Sequence, residues 1–205
     1  MNLKKLKQKV HKGFTLLEMI VVVGIIGVLL LVAVPAVANY YTNSRLNSAN
    51  SDAKVLFNSM QTIMQEYEFS ERGAQDSFFY GTAKGGKLFM KGNAGEINAV
   101  SINGTAKALS DFNVGGRDRL GTTDSPDPAT VGGRLVRLFP DYKETAWCVY
   151  IEDYKVKGVL CATANDSVYV GGYPVKADEK SDPDLLKGKK DIGGAGYGEV
   201  SVVSW

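Results

Sequence analysis

A chain of 205 residues, 44% apolar and 22% charged, can bury a sizeable core and does not have the composition of a disordered protein. Its single histidine, His11, lies in a front of thirteen residues that also holds Lys4, Lys5, Lys7, Lys9 and Lys12 and no acid, so removal of that front would exclude histidine-dependent catalysis and histidine metal ligation. Taking those five lysines from the 24 basic residues leaves 19 against 22 acids; the formal +2 then becomes about −3, and overall charge argues for no polyanion partner. The phosphate-cradling GxxxxGK[ST] pattern is absent as well, since Gly85-Gly86-Lys87 has the wrong spacing.

Residues 19–38 contain no charged side chain. As a helix they span roughly 30 Å, the thickness of one hydrocarbon core. The lysines stand before the segment, which predicts a cytoplasmic N-terminus and an exported remainder. A cleavable secretory signal fits poorly. The apolar run is long, Val34-Pro35-Ala36 is a poor small-x-small site, and Glu18 sits at the front of the run, where an acid is costly. A plain single-pass anchor leaves Glu18 unexplained too. Pro35 removes one helical N–H, and Gly24 and Gly27 add flexibility.

Beyond Asn39 a helical pattern resumes. Leu46, Ala49, Ala53, Leu56, Met60, Ile63 and Tyr67 recur at alternating steps of three and four, with Phe57 and Met64 widening the stripe and polar residues between. This stripe predicts core packing on a sheet formed later, and Arg72-Gly73 is a sensible stop. A helix from Phe14 to Phe69 would be roughly 84 Å long if continuous. Its first half is apolar all round, so it must face lipid or other copies of itself.

Residues 73–133 read as a Gly- and Asn-rich stretch with short apolar pieces at 87–90, 96–102 and 108–114, ending in an exposed loop over 121–133. Residues 134–139 alternate weakly. Residues 146–151 and 156–163 are β-rich and flank 152–155, which predicts a hairpin. A turn centred between Tyr154 and Lys155 sets Cys148 opposite Cys161. These two are a disulfide candidate; the other reading is two small buried hydrophobes on one sheet face. Further strands are expected over 167–170 and 199–204, with Trp205 packed on the head. Asp178, Glu179, Asp182 and Asp184 lack EF-hand spacing and are interleaved with lysines, so a solvated loop competes with a weak calcium site. Asn103 and Asn165 begin sequons of a kind common by chance. The fold class is α+β: a long N-terminal helix, hydrophobic then amphipathic, packed on a C-terminal antiparallel sheet.

The run Lys12-Gly13-Phe14-Thr15-Leu16-Leu17-Glu18 resembles the processing site of type IV prepilins and pseudopilins, and residues 19–35 continue the likeness, with Gly24, Gly27 and Pro35 at the family's usual offsets. The resemblance covers about residues 12–40. It implies the lollipop architecture of pilins, with a cleaved leader (1–13), a transmembrane and assembly helix (14–45) and a globular head (46–205). The head would comprise the amphipathic half-helix, a variable region over about 73–133 and a sheet over about 134–205. Gly13 would be read by the prepilin peptidase, with the scissile bond to Phe14. Phe14 would be the N-methylated new terminus. Glu18 would pair with the Phe14 amine of a neighbouring subunit, and Pro35 would mark a loosening of the helix. The calcium reading of the acids at 178–184 leans on likeness to major pseudopilins.

The implied function is a structural subunit of a type IV pilus serving adhesion, motility or DNA uptake. It would be no enzyme and need no cofactor. Its partners would be identical and related pilin subunits, the prepilin peptidase, the membrane assembly machinery, membrane lipid before assembly and an unidentified surface ligand. It would move from the cytoplasmic membrane to an extracellular filament. The alternatives are a pseudopilin of a type II secretion or competence system, and a minor tip pilin with a ligand-binding head.

Overall fold

The computed structural model describes residues 13–74, 86–93, 95–103, 105–114, 117–118, 120–121, 127–164, 167–181 and 186. The chain divides into two compact units, residues 1–41 and 42–205. In the first, residues 13–15 are irregular and helix α1 (Leu16–Ala74) then begins. The described residues of this unit are exposed, and its apolar stretch is long enough to cross a membrane with none of it buried. Pro35 lies inside the helix.

The second unit starts within α1. Leu46, Ala49, Ala53, Leu56, Met60, Ile63 and Tyr67 are all buried, as their spacing predicts. They are joined by a six-stranded antiparallel sheet built from β1 (Lys87–Asn93), β2 (Glu96–Ile102), β3 (Thr105–Lys107), β6 (Ala146–Glu152), β7 (Lys155–Ala162) and β8 (Gly171–Tyr173), in the order β3-β2-β1-β6-β7-β8. A separate two-stranded pair, β4 (Asn113–Val114) and β5 (Arg117–Asp118), helix α2 (Val131–Leu138) and two 3-10 turns (Leu109–Phe112 and Pro140–Glu144) complete the described elements. The period of two along a strand divides the sheet cleanly. Trp147, Val149 and Ile151 of β6 join the α1 stripe in the main core, whereas Ala146, Cys148 and Tyr150 form a second cluster with Phe89, Leu160, Val170 and Leu186.

Three expectations for the head are corrected. Residues 73–133 are no mere connecting region: β1 to β3 supply half of the sheet, seeded by the short apolar pieces at 87–90 and 96–102. Residues 134–139 fall largely in α2. Thr130 caps that helix, its hydroxyl accepting from Gly133 N–H at 3.1 Å. Gly132 and Gly133 are required there because a Cβ would strike the backbone of Leu120, Gly121 and Asp127. The strand expected over 167–170 forms instead at Gly171–Tyr173, and a Cβ on Gly171 would collide with the backbone of Ala49 and Asn50. The strand expected over 199–204 and the packing of Trp205 lie outside the described residues.

Polar side chains of α1 pin the sheet by its backbone. Asn50 is buried; its Oδ1 accepts from Gly172 N–H (2.9 Å) and Ala177 N–H (3.0 Å), and its Nδ2 donates to Ala177 O (2.8 Å). Gln61 does the same for the β6–β7 turn, donating to Tyr154 O at 3.2 Å and accepting from Val156 N–H at 2.8 Å. Asp153 and Tyr154 both have positive φ (49° and 61°), as a two-residue type I′ hairpin requires. Tyr154 is a core residue despite its place in the turn, and its hydroxyl donates to Glu71 Oε2 at 2.7 Å. Asn50→Ala strands three backbone groups in a buried site and should cost about 1–3 kcal/mol. In urea titrations of the detergent-solubilised chain, followed by fluorescence of buried Trp147, the midpoint should fall with little change in slope, whereas Ser48→Ala on the exposed side should leave it unmoved.

Candidate assembly site

Gly13, Phe14 and Thr15 lie ahead of the first helical turn. A Cβ on Gly13 would meet nothing within 4 Å, and the Phe14 ring is 81% exposed. The peptide bond between them is therefore in irregular, open backbone. Thr15 then caps the helix reciprocally with Glu18. The Thr15 hydroxyl accepts from Glu18 N–H (3.2 Å), and Glu18 Oε2 accepts from Thr15 N–H (2.8 Å) and from the Thr15 hydroxyl (2.9 Å). This is a capping box, and the acid also sits at the positive end of the helix dipole. The reading that an anchor leaves Glu18 unexplained is thus corrected: within its own chain the carboxylate satisfies otherwise orphaned donors. The signal was present as Thr15-Leu16-Leu17-Glu18, a T-x-x-E spacing masked by the apolar residues between.

Further along, side chains from Leu16 to Val37 present apolar surface to every side. A Cβ on Gly24 or Gly27 would meet nothing within 4 Å, so no contact inside the chain demands glycine at either place. Gly24 instead floors an open groove of about 350 Å³ lined by Val21, Ile25, Val28 and Leu29.

The head candidates are not brought together in this way. Cys148 and Cys161 are buried free thiols on opposite faces of the sheet, which corrects the disulfide candidate. The turn centres on Asp153-Tyr154, one residue earlier than expected on its second strand, and a register shift between Tyr150 and Ile151 leaves Lys157 without an opposite residue. Cys148 consequently faces Leu160, and Cys161 faces Trp147. A one-residue offset turns a side chain to the other face. Asp178 and Glu179 are exposed, and Asp182 and Asp184 lie outside the described residues. Asn103 is exposed in the β2–β3 turn, and its Oδ1 accepts from Lys87 N–H at 2.9 Å; Asn165 lies outside the described residues.

The N-terminal sequence matches a known motif. Residues 8–34 match the family model of the prokaryotic N-terminal methylation motif. The chain thus carries a prepilin-type N-terminal motif and is similar to fimbrial proteins. It is 28% identical to fimbrial protein Q of Moraxella bovis over 164 residues, 78% of this chain and 90% of that relative. It is 29% identical to the type IV major fimbrial protein FimA of Dichelobacter nodosus over 91 residues, 44% of this chain and 54% of that relative. No solved structure matches it. Both relatives carry the names of fimbrial proteins, and the match to the first runs well past the long helix into the head.

Burial pushes the Cys148 thiol from its ordinary 9.0 up to about 12, against a smaller opposing pull from the Lys91 ammonium, and pushes Cys161 up further. A raised thiol pKa keeps the folded form neutral, so its contribution is fully present below about 9 and is lost as pH climbs from there towards 12. Both cysteines of the native pilin-like chain should therefore resist iodoacetamide at pH 8 and both should label once it is unfolded without reductant. A mass shift showing no labelled thiol after unfolding would mean a bridge had formed.

Proposed function

We propose that this chain is a prepilin cut between Gly13 and Phe14 by a membrane prepilin peptidase, then polymerised through α1 into an extracellular type IV pilus. The observation that carries this reading is an exposed helical segment, uncharged over residues 19–38, with Glu18 at its front four residues after Phe14 of an open Gly-aromatic junction. A glycine lets the backbone lie close against a protease in extended form. Cleavage there removes the basic front and creates an ammonium at Phe14, the position that would be N-methylated. In the membrane, with the N-terminus on the cytoplasmic side, the helix is solvated by lipid. In a filament it exchanges lipid for the helices of identical or related subunits, so packing and register drive the step and bulk hydrophobicity changes little.

Glu18 supplies the register. Its carboxylate is held by Thr15 within the chain, and the Phe14 ammonium of a neighbour can add a charged partner in a medium where an unpaired charge is costly. Misplaced subunits would lack that partner. Identical head-to-tail contacts that do not close on themselves generate a fibre. Gly24, Gly27 and Pro35 would let the helix adjust or locally extend as it enters the filament. The match across 90% of a fimbrial relative favours a pilus subunit over a secretion pseudopilin and over an anchored enzyme.

Gly13→Val should leave an uncut precursor in the membrane; a variant whose N-terminus still begins at Phe14 would sink the cleavage assignment. Glu18→Ala should be cut normally yet give several-fold fewer sheared surface filaments, and a wild-type filament yield would refute the pairing role.

A further inference from the structure

Where α2 meets α1, one arginine is fully engaged. Arg134 of α2 forms an ion pair with Glu66 of α1, and its Nε donates to Pro128 O at 2.9 Å. Its guanidinium also lies over the Tyr67 ring, 4.9 Å from the centroid, while the Tyr67 hydroxyl donates to Ala129 O at 2.7 Å. A carboxylate, a carbonyl and an aromatic face therefore fix Arg134 in place. Beside it opens a cleft of about 330 Å³, lined by Glu66, Pro128, Arg134, Arg137 and Leu138.

The second cation of the cleft is unspent. Arg137 follows one turn later on α2, is exposed, and makes no hydrogen bond, ion pair or ring contact with any described residue. Its charge suits the C-terminal end of α2, but that effect uses none of its N–H donors. Glu66 is only half used: Arg134 takes Oε2, whereas Oε1 accepts from no described residue and the side chain is 56% exposed. Pro128 is exposed and Leu138 is 43% exposed, so the lining also offers apolar surface. Since Glu66 and Arg134 cancel, Arg137 leaves the cleft with one net positive charge.

We propose that this cleft binds an acidic sugar, a hexuronate ring whose carboxylate is taken by Arg137 and one of whose hydroxyls donates to Glu66 Oε1. The inference goes beyond the assembly reading and does not rest on it. The ligand follows from matching chemistry. The planar fork of a guanidinium fits a carboxylate through two parallel N–H bonds. The single net charge matches a monoanion, whereas a phosphate dianion would meet the Glu66 carboxylate with too little positive charge to offset it. An acidic peptide side chain could satisfy Arg137, but it brings no hydroxyl for Glu66. A pyranose ring supplies both groups, and its C–H face can lie on Pro128 or Leu138. At roughly 30 Å³ for each water displaced, the cleft holds about eleven waters, which suits one sugar ring better than a folded chain of them.

The test is a ligand-observed NMR titration of the detergent-solubilised full chain with glucuronate, and with glucose and propionate as the neutral sugar and the plain carboxylate. Glucuronate should bind most tightly of the three. Arg137→Gln should weaken it about tenfold or more, the scale of a lost charge-assisted pair of hydrogen bonds. Lys107→Gln, which removes an exposed charge elsewhere in the head, should leave it unchanged. Because Arg137 is exposed, its variant should keep the wild-type fluorescence of buried Trp147, which separates lost binding from lost folding. Glucose binding as tightly as glucuronate would show that the charge is not read, and propionate doing so would reduce the cleft to a simple anion site. Either result overturns the proposal, as does undetectable glucuronate binding or equal affinity in the Arg137 and Lys107 variants.

Discussion

A helix that is apolar on every side has no solution within one chain. An ordinary surface helix buries one stripe and solvates the rest. From Met19 to Val37 the first unit of this protein offers only exposed, uncharged and mostly apolar residues, with no buried share. Lipid can cover such a surface, and so can other copies of the same helix. In the proposed reading, the basic front would orient insertion and Glu18 would take a partner from a neighbouring copy.

The acid shows how one residue serves two states. Thr15 and Glu18 cap each other, so the carboxylate has hydrogen-bond donors before any neighbour arrives. The carboxylate is thereby spared an unsatisfied state within its own chain, and in the proposed filament it would gain a cationic partner. Such an arrangement biases register more than it adds net stability, because what is avoided is the misplaced, unpaired charge.

In the head, α1 acts as template and clasp. Its apolar stripe meets one face of the sheet, while Asn50 and Gln61 reach past the stripe to hold backbone groups at two sites. Tyr154 turns a hairpin tip into a core residue by carrying its ring inward and its hydroxyl to Glu71. Gly171 allows the sheet edge to approach the helix backbone more closely than any side chain would permit.

Features carried by local pattern were legible in the sequence. The uncharged run at 19–38, the buried stripe from Leu46 to Tyr67 and the strands at 146–151 and 156–163 are written in spacing and residue type, and their partners lie nearby or are generic. The Thr15 cap was equally local, yet hidden by the apolar residues around it. Features set by distant partners were not legible. Whether residues 87–93 form loop or sheet depended on pairing with β6, about sixty residues away, and β2 then pairs with β1. Whether 134–139 became strand or helix depended on the Thr130 cap and on close backbone contacts at Gly132 and Gly133. The positions of Cys148 and Cys161 turned on a single unpaired residue, because in a strand one step of register exchanges the faces. The sequence by itself determined what must be hidden from water and what marks the chain for assembly; only the tertiary structure decided which surfaces meet, since pairing and register arise from contacts that no local pattern contains.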